Sequence, residues 1–168
     1  MKSSFSFSFI DKKYIDDILP ELYDILYNNM SIIVPTGNSY EDDKNQWIPC
    51  IISALEKPQR NIILIYEENR IIGFFMYYTV DETLMMEEIQ FKAEFHGTGV
   101  FNELYRYLFN ILSNNIEFVE AYANKKNQKS QDILSHLGLE IIGENKNGSS
   151  FHYRGEYQTL KNIILKES

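Results

Sequence analysis

The chain opens with an alternation of polar and aromatic residues that is typical of a β-strand. Residues 4–10 read SFSFSFI, which places the aromatic side chains on one face. Apolar residues at helical spacing follow over residues 15–26 and predict a first helix. Pro20 lies within this pattern, so the helix is expected to be kinked there or to begin near it.

A second helix is predicted after a loop. Residues 31–40 contain proline, glycine and asparagine and read as a loop. Apolar positions from Trp47 to Leu55 then mark a helix, with Ser39 or Asn38 as its cap. Because proline lacks the N–H that a helix needs, Pro49 is expected to interrupt this helix.

Three strand-like runs occupy the middle of the chain. Residues 62–66 and 71–80 form a predicted hairpin around the turn at 67–70, and a second turn leads into a strand at 84–93. The remaining elements alternate. They are a helix after Gly99, a strand at 117–123, a helix at 128–137 ended by Gly138, and a closing strand pair at 139–143 and 150–157.

This order predicts an α/β fold with a mixed, mostly antiparallel central sheet flanked by helices on both faces. A doubly wound dinucleotide fold requires repeated βαβ units, and only one such crossover is visible. The length favours a single domain over residues 1–168.

Composition narrows the possible functions. A net charge of −8 argues against nucleic acid as the main partner and is compatible with a cationic substrate such as an amine. We expect no export signal and no membrane span, because no leader pattern or long apolar run is present. The single cysteine, Cys50, fits a cytoplasmic protein and is interpreted as a buried structural thiol. The histidines lack the spacing of metal ligands, so no metal site is predicted.

A glycine-containing loop between a strand and a helix is the most informative feature. Residues 96–99 read HGTG, and the two glycines allow a tight turn that directs successive N–H groups to one place. The helix that follows presents unpaired N–H groups and a positive dipole end. Together these features predict a cradle for a phosphate or pyrophosphate. The alternative is a tight turn that binds no ligand.

Two motifs in this region resemble those of the GNAT-type N-acetyltransferase superfamily. The acyl-CoA loop of that family has the pattern Q/R-x-x-G-x-G/A, and residues 96–101 read HGTGVF, with Gly99 as the central glycine. A second family motif, an asparagine followed three residues later by alanine or serine, is similar to Asn127 and Ser130, before the LGL sequence at 137–139. The resemblance covers most of the chain in element order and is best over residues 60–143.

The resemblance implies an acyl-CoA-dependent N-acyltransferase that transfers acetyl from acetyl-CoA directly to a primary amine of a small molecule or peptide. Main-chain N–H groups of the loop would bind the pyrophosphate, and the backbone of residues 89–91 would pair with the pantetheine arm like an added strand. The implied cosubstrate-binding residues are Ile89, Gln90, Phe91, His96, Gly97, Thr98, Gly99, Val100, Phe101, Asn127 and Ser130. The oligomeric state, including a homodimer, stays open.

The two departures from the acyl-CoA loop pattern leave alternatives open. His96 stands where the family has glutamine or arginine, and it either contacts a phosphate or remains an exposed imidazole. Phe101 stands where the family has a small residue, and its ring either packs along the helix stripe or crowds the cosubstrate.

Acyl transfer also requires proton transfer. Adjacent strand residues face opposite sides, so at most one of Glu87 and Glu88 can point at the acyl carbon. Glu88 is the preferred general base, because its side chain is taken to differ in face from those of Ile89 and Phe91. Glu87 is the alternative, because a bulge would reverse the choice. The alternative to a catalytic role is that both glutamates are solvent-facing charges.

Leu134 occupies the position where many family members have a general-acid tyrosine. Either Ser130, Tyr122 or a water replaces that tyrosine, or the thiolate leaves without a dedicated acid. A tyrosine at Tyr122 is more often a core residue.

The acceptor pocket is expected near the loop at 31–40. Its aromatic wall would consist of Trp47, Tyr40, Tyr77 and Tyr78, although helical spacing favours Trp47 as a core residue. A non-catalytic acyl-CoA-binding or sensor domain on the same fold is the alternative function, motivated by Phe101 and Leu134.

Overall fold

The structure, a computed structural model, describes residues 4–167. Residues 1–3 and 168, which the predicted domain includes, lie outside the described residues. The described helices are α1 (Ile15–Met30), α2 (Tyr40–Leu55), α3 (Val100–Ile111), α4 (Gln128–His136) and α5 (Tyr157–Lys166). The described strands are β1 (Phe5–Phe9), β2 (Arg60–Glu67), β3 (Arg70–Val80), β4 (Thr83–Phe91), β5 (Phe118–Asn124), β6 (Glu140–Glu144) and β7 (Ser150–Glu156).

The strands form one mixed sheet in the order β1-β2-β3-β4-β5-β7-β6. The pair β4–β5 is parallel, whereas β1–β2, β5–β7 and β6–β7 are antiparallel. The predicted fold class, a mixed and mostly antiparallel sheet with flanking helices, is therefore confirmed. Within the described range, no helix has the length and apolar character that crossing a lipid bilayer requires.

The chain divides into two compact units. Among the described residues, the first unit comprises 4–76 and 88–98. Its core is built where the apolar stripes of α1 and α2 pack on β2 and β3. The buried residues of this cluster are Leu19, Leu22, Ile25, Ile51, Leu55, Ile62, Leu64, Ile71 and Phe74.

The second unit comprises residues 77–87 and 99–168. The stripe of α3 is buried at Leu104, Tyr105 and Leu108, as its helical spacing predicts. Phe109 of α3 packs edge-on against Tyr157 at the start of α5, with ring centroids 5.7 Å apart. The helix α4 packs on β5, so this unit has a core of its own.

Pro20 and Pro49 both lie inside continuous helices. The helix α1 begins at Ile15, well before Pro20. The prediction that Pro49 interrupts the second helix is wrong, since α2 continues through it. A proline removes one helix hydrogen bond, but burial of Ile51 and Leu55 just beyond it offsets that loss. Ser39 is the cap, with its hydroxyl accepting from the N–H of Asp42 at 3.1 Å.

Two further expectations are corrected. Cys50 is exposed rather than buried, because the face of α2 that reaches the core carries Trp47, Ile51 and Leu55 instead. The predicted closing strand runs to Tyr157, but in the structure β7 ends at Glu156 and Tyr157 begins α5. The helix α5 was therefore missing from the predicted elements. Its buried residues Tyr157, Leu160 and Ile164 do have helical spacing.

The close contact of Gly73 with β4 yields a prediction about stability. A Cβ atom at Gly73 would lie 2.5 Å from the carbonyl oxygen of Gln90 and 2.7 Å from a ring carbon of Phe91. We expect Gly73→Ala to lower the free energy of unfolding by about 1–3 kcal/mol, because backbone cannot yield as a side chain does. Chemical denaturation measures this difference.

Gly143→Ala is the matched control. Gly143 lies in the exposed strand β6, and a Cβ there would meet no atom within 4 Å. The control should leave stability nearly unchanged, and equal destabilisation by both substitutions would contradict the close-contact argument.

Candidate functional site

The end of β4 carries the predicted general bases. The parallel ladder joins Thr83–Met86 of β4 to Phe118–Ala121 of β5, and β4 continues beyond it to Phe91. Glu87, Glu88 and Ile89 in this extension are half-buried, whereas the next two residues are buried. The Oε2 atom of Glu87 is buried, and the carboxylate of Glu88 accepts a hydrogen bond from the side-chain amide of Gln90 at 2.5 Å.

One backbone edge of β4 was expected to pair with the pantetheine arm. The N–H of Lys92 donates to Ile72 on β3 at 2.8 Å, so the polar backbone groups of Phe91 lie on the opposite edge. The carbonyl oxygen of Phe91 accepts from the side-chain amide of Asn29 at 2.7 Å and lies 3.1 Å from Nε2 of His96. Because a carbonyl oxygen only accepts, Nε2 of His96 is the donor in this contact. His96 thus contacts the strand end through this nitrogen, while its residue surface remains exposed.

Within the first unit, the loop after β4 is held by hydrogen bonds among its own residues. A short 3-10 turn, Ala93–Phe95, follows the strand. The hydroxyl of Thr98 donates to the carbonyl of Phe95 at 2.6 Å, and its N–H reaches the same oxygen at 3.3 Å. Gly97 has a φ of 79°, a conformation that residues with a side chain rarely adopt. Gly97 therefore has the backbone conformation that the predicted tight turn requires of a glycine.

Within the second unit, α3 begins directly at Gly99. This residue is the N-cap and has a φ of 87°, and no side chain in the described chain caps the helix. The N–H of Glu103 donates to the carbonyl of Gly99 at 3.2 Å. The amides of Val100, Phe101 and Asn102 therefore precede the first intrahelical bond of this helix. Helix N-termini of this kind can bind a phosphate through N–H groups and the helix dipole.

The ring of Phe101 packs along the stripe of α3. Its centroid lies 4.8 Å from that of Tyr105, whose side chain is fully buried. The half-buried Phe101 also lines a groove of the second unit together with Ile133 of α4 and Leu137, which directly follows that helix. This placement corresponds to the first of the two alternatives, in which the ring packs beside the helix.

Asn127 and Ser130 are brought into direct contact at the start of α4. The side-chain oxygen of Asn127 accepts from the N–H of Ser130 at 3.2 Å, and its amide donates to the serine hydroxyl at 3.0 Å. Asn127 is therefore the N-cap of α4. Gly138 ends this helix with a φ of 88°, as predicted.

The candidates for a general acid have distinct environments. Leu134 is buried, so this position contributes to the core. Tyr122 is 47% exposed, which contradicts the expectation of a core residue. Strand alternation explains the difference, because its neighbours Ala121 and Ala123 occupy the buried face of β5.

A histidine and a carboxylate that the sequence analysis did not connect lie next to Tyr122. The ring of His152 stacks on Tyr122 with centroids 4.4 Å apart, and its Nε2 lies 2.6 Å from a carboxylate oxygen of Glu120. The two atoms are at ion-pair distance. Tyr122 and His152 are cross-strand partners of β5 and β7. Two-residue alternation would have placed these side chains on one face, but it could not have identified β7 as the partner strand.

The aromatic residues of the expected acceptor wall divide between the two units. In the first unit, Tyr40 and Trp47 both pack against Tyr23, at centroid distances of 5.2 and 5.8 Å. Trp47 packs on the core, as its spacing predicted. The hydroxyl of Tyr40 donates to Asp24, and this hydrogen bond, followed by burial, raises the pKa of Tyr40 to about 12.

In the second unit, Tyr77 is buried and Tyr78 is half-buried. Desolvation raises the pKa of Tyr77 to about 12, and the nearby Tyr107 adds to this shift. Both Tyr40 and Tyr77 are therefore neutral phenols at physiological pH. Among residues 4–167, no group of histidine, cysteine and acidic side chains is arranged to hold a metal ion.

Similar solved structures support this fold over nearly the whole chain. An acetyltransferase from Thermus thermophilus has 12% sequence identity and a TM-score of 0.72, with 92% of this chain and 97% of that one covered. A PaiA N-acetyltransferase from Thermoplasma acidophilum in complex with coenzyme A has 12% identity and a TM-score of 0.71, with 92% and 100% covered. An aminoglycoside acetyltransferase in complex with coenzyme A and kanamycin has 15% identity and a TM-score of 0.65, with 95% and 98% covered.

A search of curated proteins finds no match to this sequence. The family model of the acetyltransferase (GNAT) family, however, matches residues 19–139. That range contains the end of β4, the glycine loop, the start of α3 and the Asn127 cap of α4. The chain therefore belongs to the acetyltransferase (GNAT) family.

Proposed function

We propose that this protein transfers an acetyl group from acetyl-CoA directly to a primary amine of a small molecule or peptide. The observation that carries the proposal is the uncapped start of α3, where Gly99 is left-handed and the first amides precede the helix ladder. These amides suit the pyrophosphate of coenzyme A, because backbone donors do not depend on side-chain identity. Coenzyme A is bound in three of the similar structures.

Glu88 is the proposed general base. An amine is protonated near neutral pH and must lose a proton before its nitrogen attacks the thioester carbon. Nitrogen then bonds to the acyl carbon, the carbon–sulfur bond breaks, and the second proton that the nitrogen loses on becoming an amide goes to the departing thiolate of coenzyme A. Glu87 remains the alternative base. Cys50 is exposed on α2, and the proposal uses no covalent enzyme intermediate.

The acceptor is proposed only as a class. A net charge of −8 favours the approach of a cationic amine over that of an anion. One similar structure is a complex of an aminoglycoside acetyltransferase with coenzyme A and kanamycin. We place the protein in the cytoplasm, on the basis of its single cysteine, and treat residues 1–168 as one acyltransferase domain.

A non-catalytic acyl-CoA-binding or sensor domain is the second candidate function. Leu134, buried at the position where many members of the family have a general-acid tyrosine, favours it. Retained coenzyme A binding without turnover across a broad panel of amines would support this candidate over the enzyme.

Ligand-dependent thermal unfolding tests the cosubstrate site. Acetyl-CoA or coenzyme A at a hundred times its dissociation constant should add about 2.7 kcal/mol to the free energy of unfolding, whereas ATP as a phosphate control should not. Gly99→Asp should abolish this stabilisation because its carboxylate repels the pyrophosphate. Gly99→Asn is the matched control, since asparagine tolerates a positive φ and has a similar shape without the charge.

Equal stabilisation of the Asp and Asn variants by acetyl-CoA would remove the argument from the start of α3. Absence of any shift in the unmodified protein would refute acyl-CoA binding itself.

Turnover of Glu88→Gln tests the base. We expect kcat at neutral pH to fall about a hundredfold, a typical contribution of general base catalysis, while stabilisation by coenzyme A is unchanged. Glu87→Gln is the matched control on the same strand and should retain most of the activity. Full activity in Glu88→Gln together with loss in Glu87→Gln would transfer the role to Glu87.

A further inference from the structure

Gln90 is a buried polar side chain beside the proposed base. Only 8% of its surface is exposed. A buried amide is costly unless both its oxygen and its nitrogen have hydrogen-bond partners. Here the oxygen accepts from the side-chain amide of Asn29 at 2.9 Å, and the nitrogen donates to Glu88 at 2.5 Å.

The direction of these hydrogen bonds is fixed by the backbone. The carbonyl of Phe91 can only accept, so the group of Asn29 that lies 2.7 Å from it must be the NH2 group. The same NH2 group then presents its second hydrogen to Gln90, whose oxygen has to face it. The nitrogen of Gln90 is consequently directed at Glu88. If the Gln90 amide were reversed, its NH2 group would face the NH2 group of Asn29, and its oxygen would face the Glu88 carboxylate. Both hydrogen bonds would then be lost.

We propose that Asn29 and Gln90 are positioning residues for Glu88 in acyl transfer, a role that rests on the proposed function. They form a polar chain from the Phe91 carbonyl through Asn29 and Gln90 to the Glu88 carboxylate. This chain ties the last turn of α1 to the end of β4.

The polar chain acts on the base in two ways. It holds one carboxylate oxygen of Glu88 toward Gln90 and so restricts the side chain to one orientation. It also supplies a hydrogen bond to the ionised carboxylate, the form that accepts a proton. A base that wanders by about 1 Å loses a large part of its effect on the rate, so fixing the carboxylate favours turnover without changing cosubstrate binding.

Side-chain NMR tests the polar chain without requiring any activity. In the isotope-labelled full-length protein, Asn29→Leu should move the amide signals of Gln90 and the carboxyl carbon signal of Glu88. Asn28→Leu is the matched control, because Asn28 is the preceding residue of α1 and is exposed. Signals of Gln90 and Glu88 that stay in place in Asn29→Leu would overturn the proposal.

A double-mutant cycle tests the catalytic role. Gln90→Met and Asn29→Leu should each lower kcat about tenfold or more, with the KM for acetyl-CoA and the acetyl-CoA-dependent thermal shift unchanged. In the Glu88→Gln background the same substitutions should cause little further loss, because the group on which they act is gone. Equal losses in both backgrounds would overturn the proposal.

The two experiments separate this inference from the proposed function. If the unmodified protein shows neither turnover nor a thermal shift with acetyl-CoA, the proposed function is refuted and the catalytic role with it. That conclusion holds even if Asn29→Leu moves the NMR signals of Gln90 and Glu88. Turnover that is insensitive to Gln90→Met would refute the positioning role alone.

Discussion

The approach of Gly73 to the carbonyl of Gln90 constrains the arrangement at the end of β4. A Cβ atom at Gly73 would lie 2.5 Å from that oxygen, so β3 and β4 can come this close only because the side chain is missing. The position of β4 in turn sets where the Phe91 carbonyl lies, and that carbonyl orients Asn29. A backbone contact in the core of the first unit therefore determines where a carboxylate at its surface can be held.

The elements that the sequence predicted well are those whose signal is local. The turn between β2 and β3 is a two-residue hairpin in which Glu68 and Asn69 have φ values of 48° and 67°, and Asn69 is of a type that such turns favour. For Pro49 the prediction from the local sequence was wrong. Whether a helix continues through Pro49 depends on how well the flanking residues pack, and the local sequence carries no information about that packing. The exposure of Cys50 likewise depends on which face of α2 packs on the core, which the local sequence does not reveal.

Prediction of the candidate site had a similar limit. Gly97 and Gly99 were identified because a positive φ at a strand-to-helix turn requires glycine. The Asn127–Ser130 pair was identified through its resemblance to a family motif, whose spacing is also that of an N-cap. By contrast, the contacts of Asn29 with Gln90 and of His152 with Glu120 join distant parts of the sequence. Asparagine near the end of an amphipathic helix has no pattern that names its partner.

The two helix starts of the second unit differ in a way that bears on function. The helix α4 satisfies its first turn with the side chain of Asn127, a contact typically worth about 1 kcal/mol. The helix α3 has no such cap, and Gly99 has a φ of 87° instead of the extended backbone typical of an N-cap. Stability of α3 alone would favour a serine or aspartate at that position. The glycine is better explained by the loop that precedes it and by the need to keep a side chain away from the first amides. A helix start without a side-chain cap is the arrangement that the proposed binding of a pyrophosphate would require.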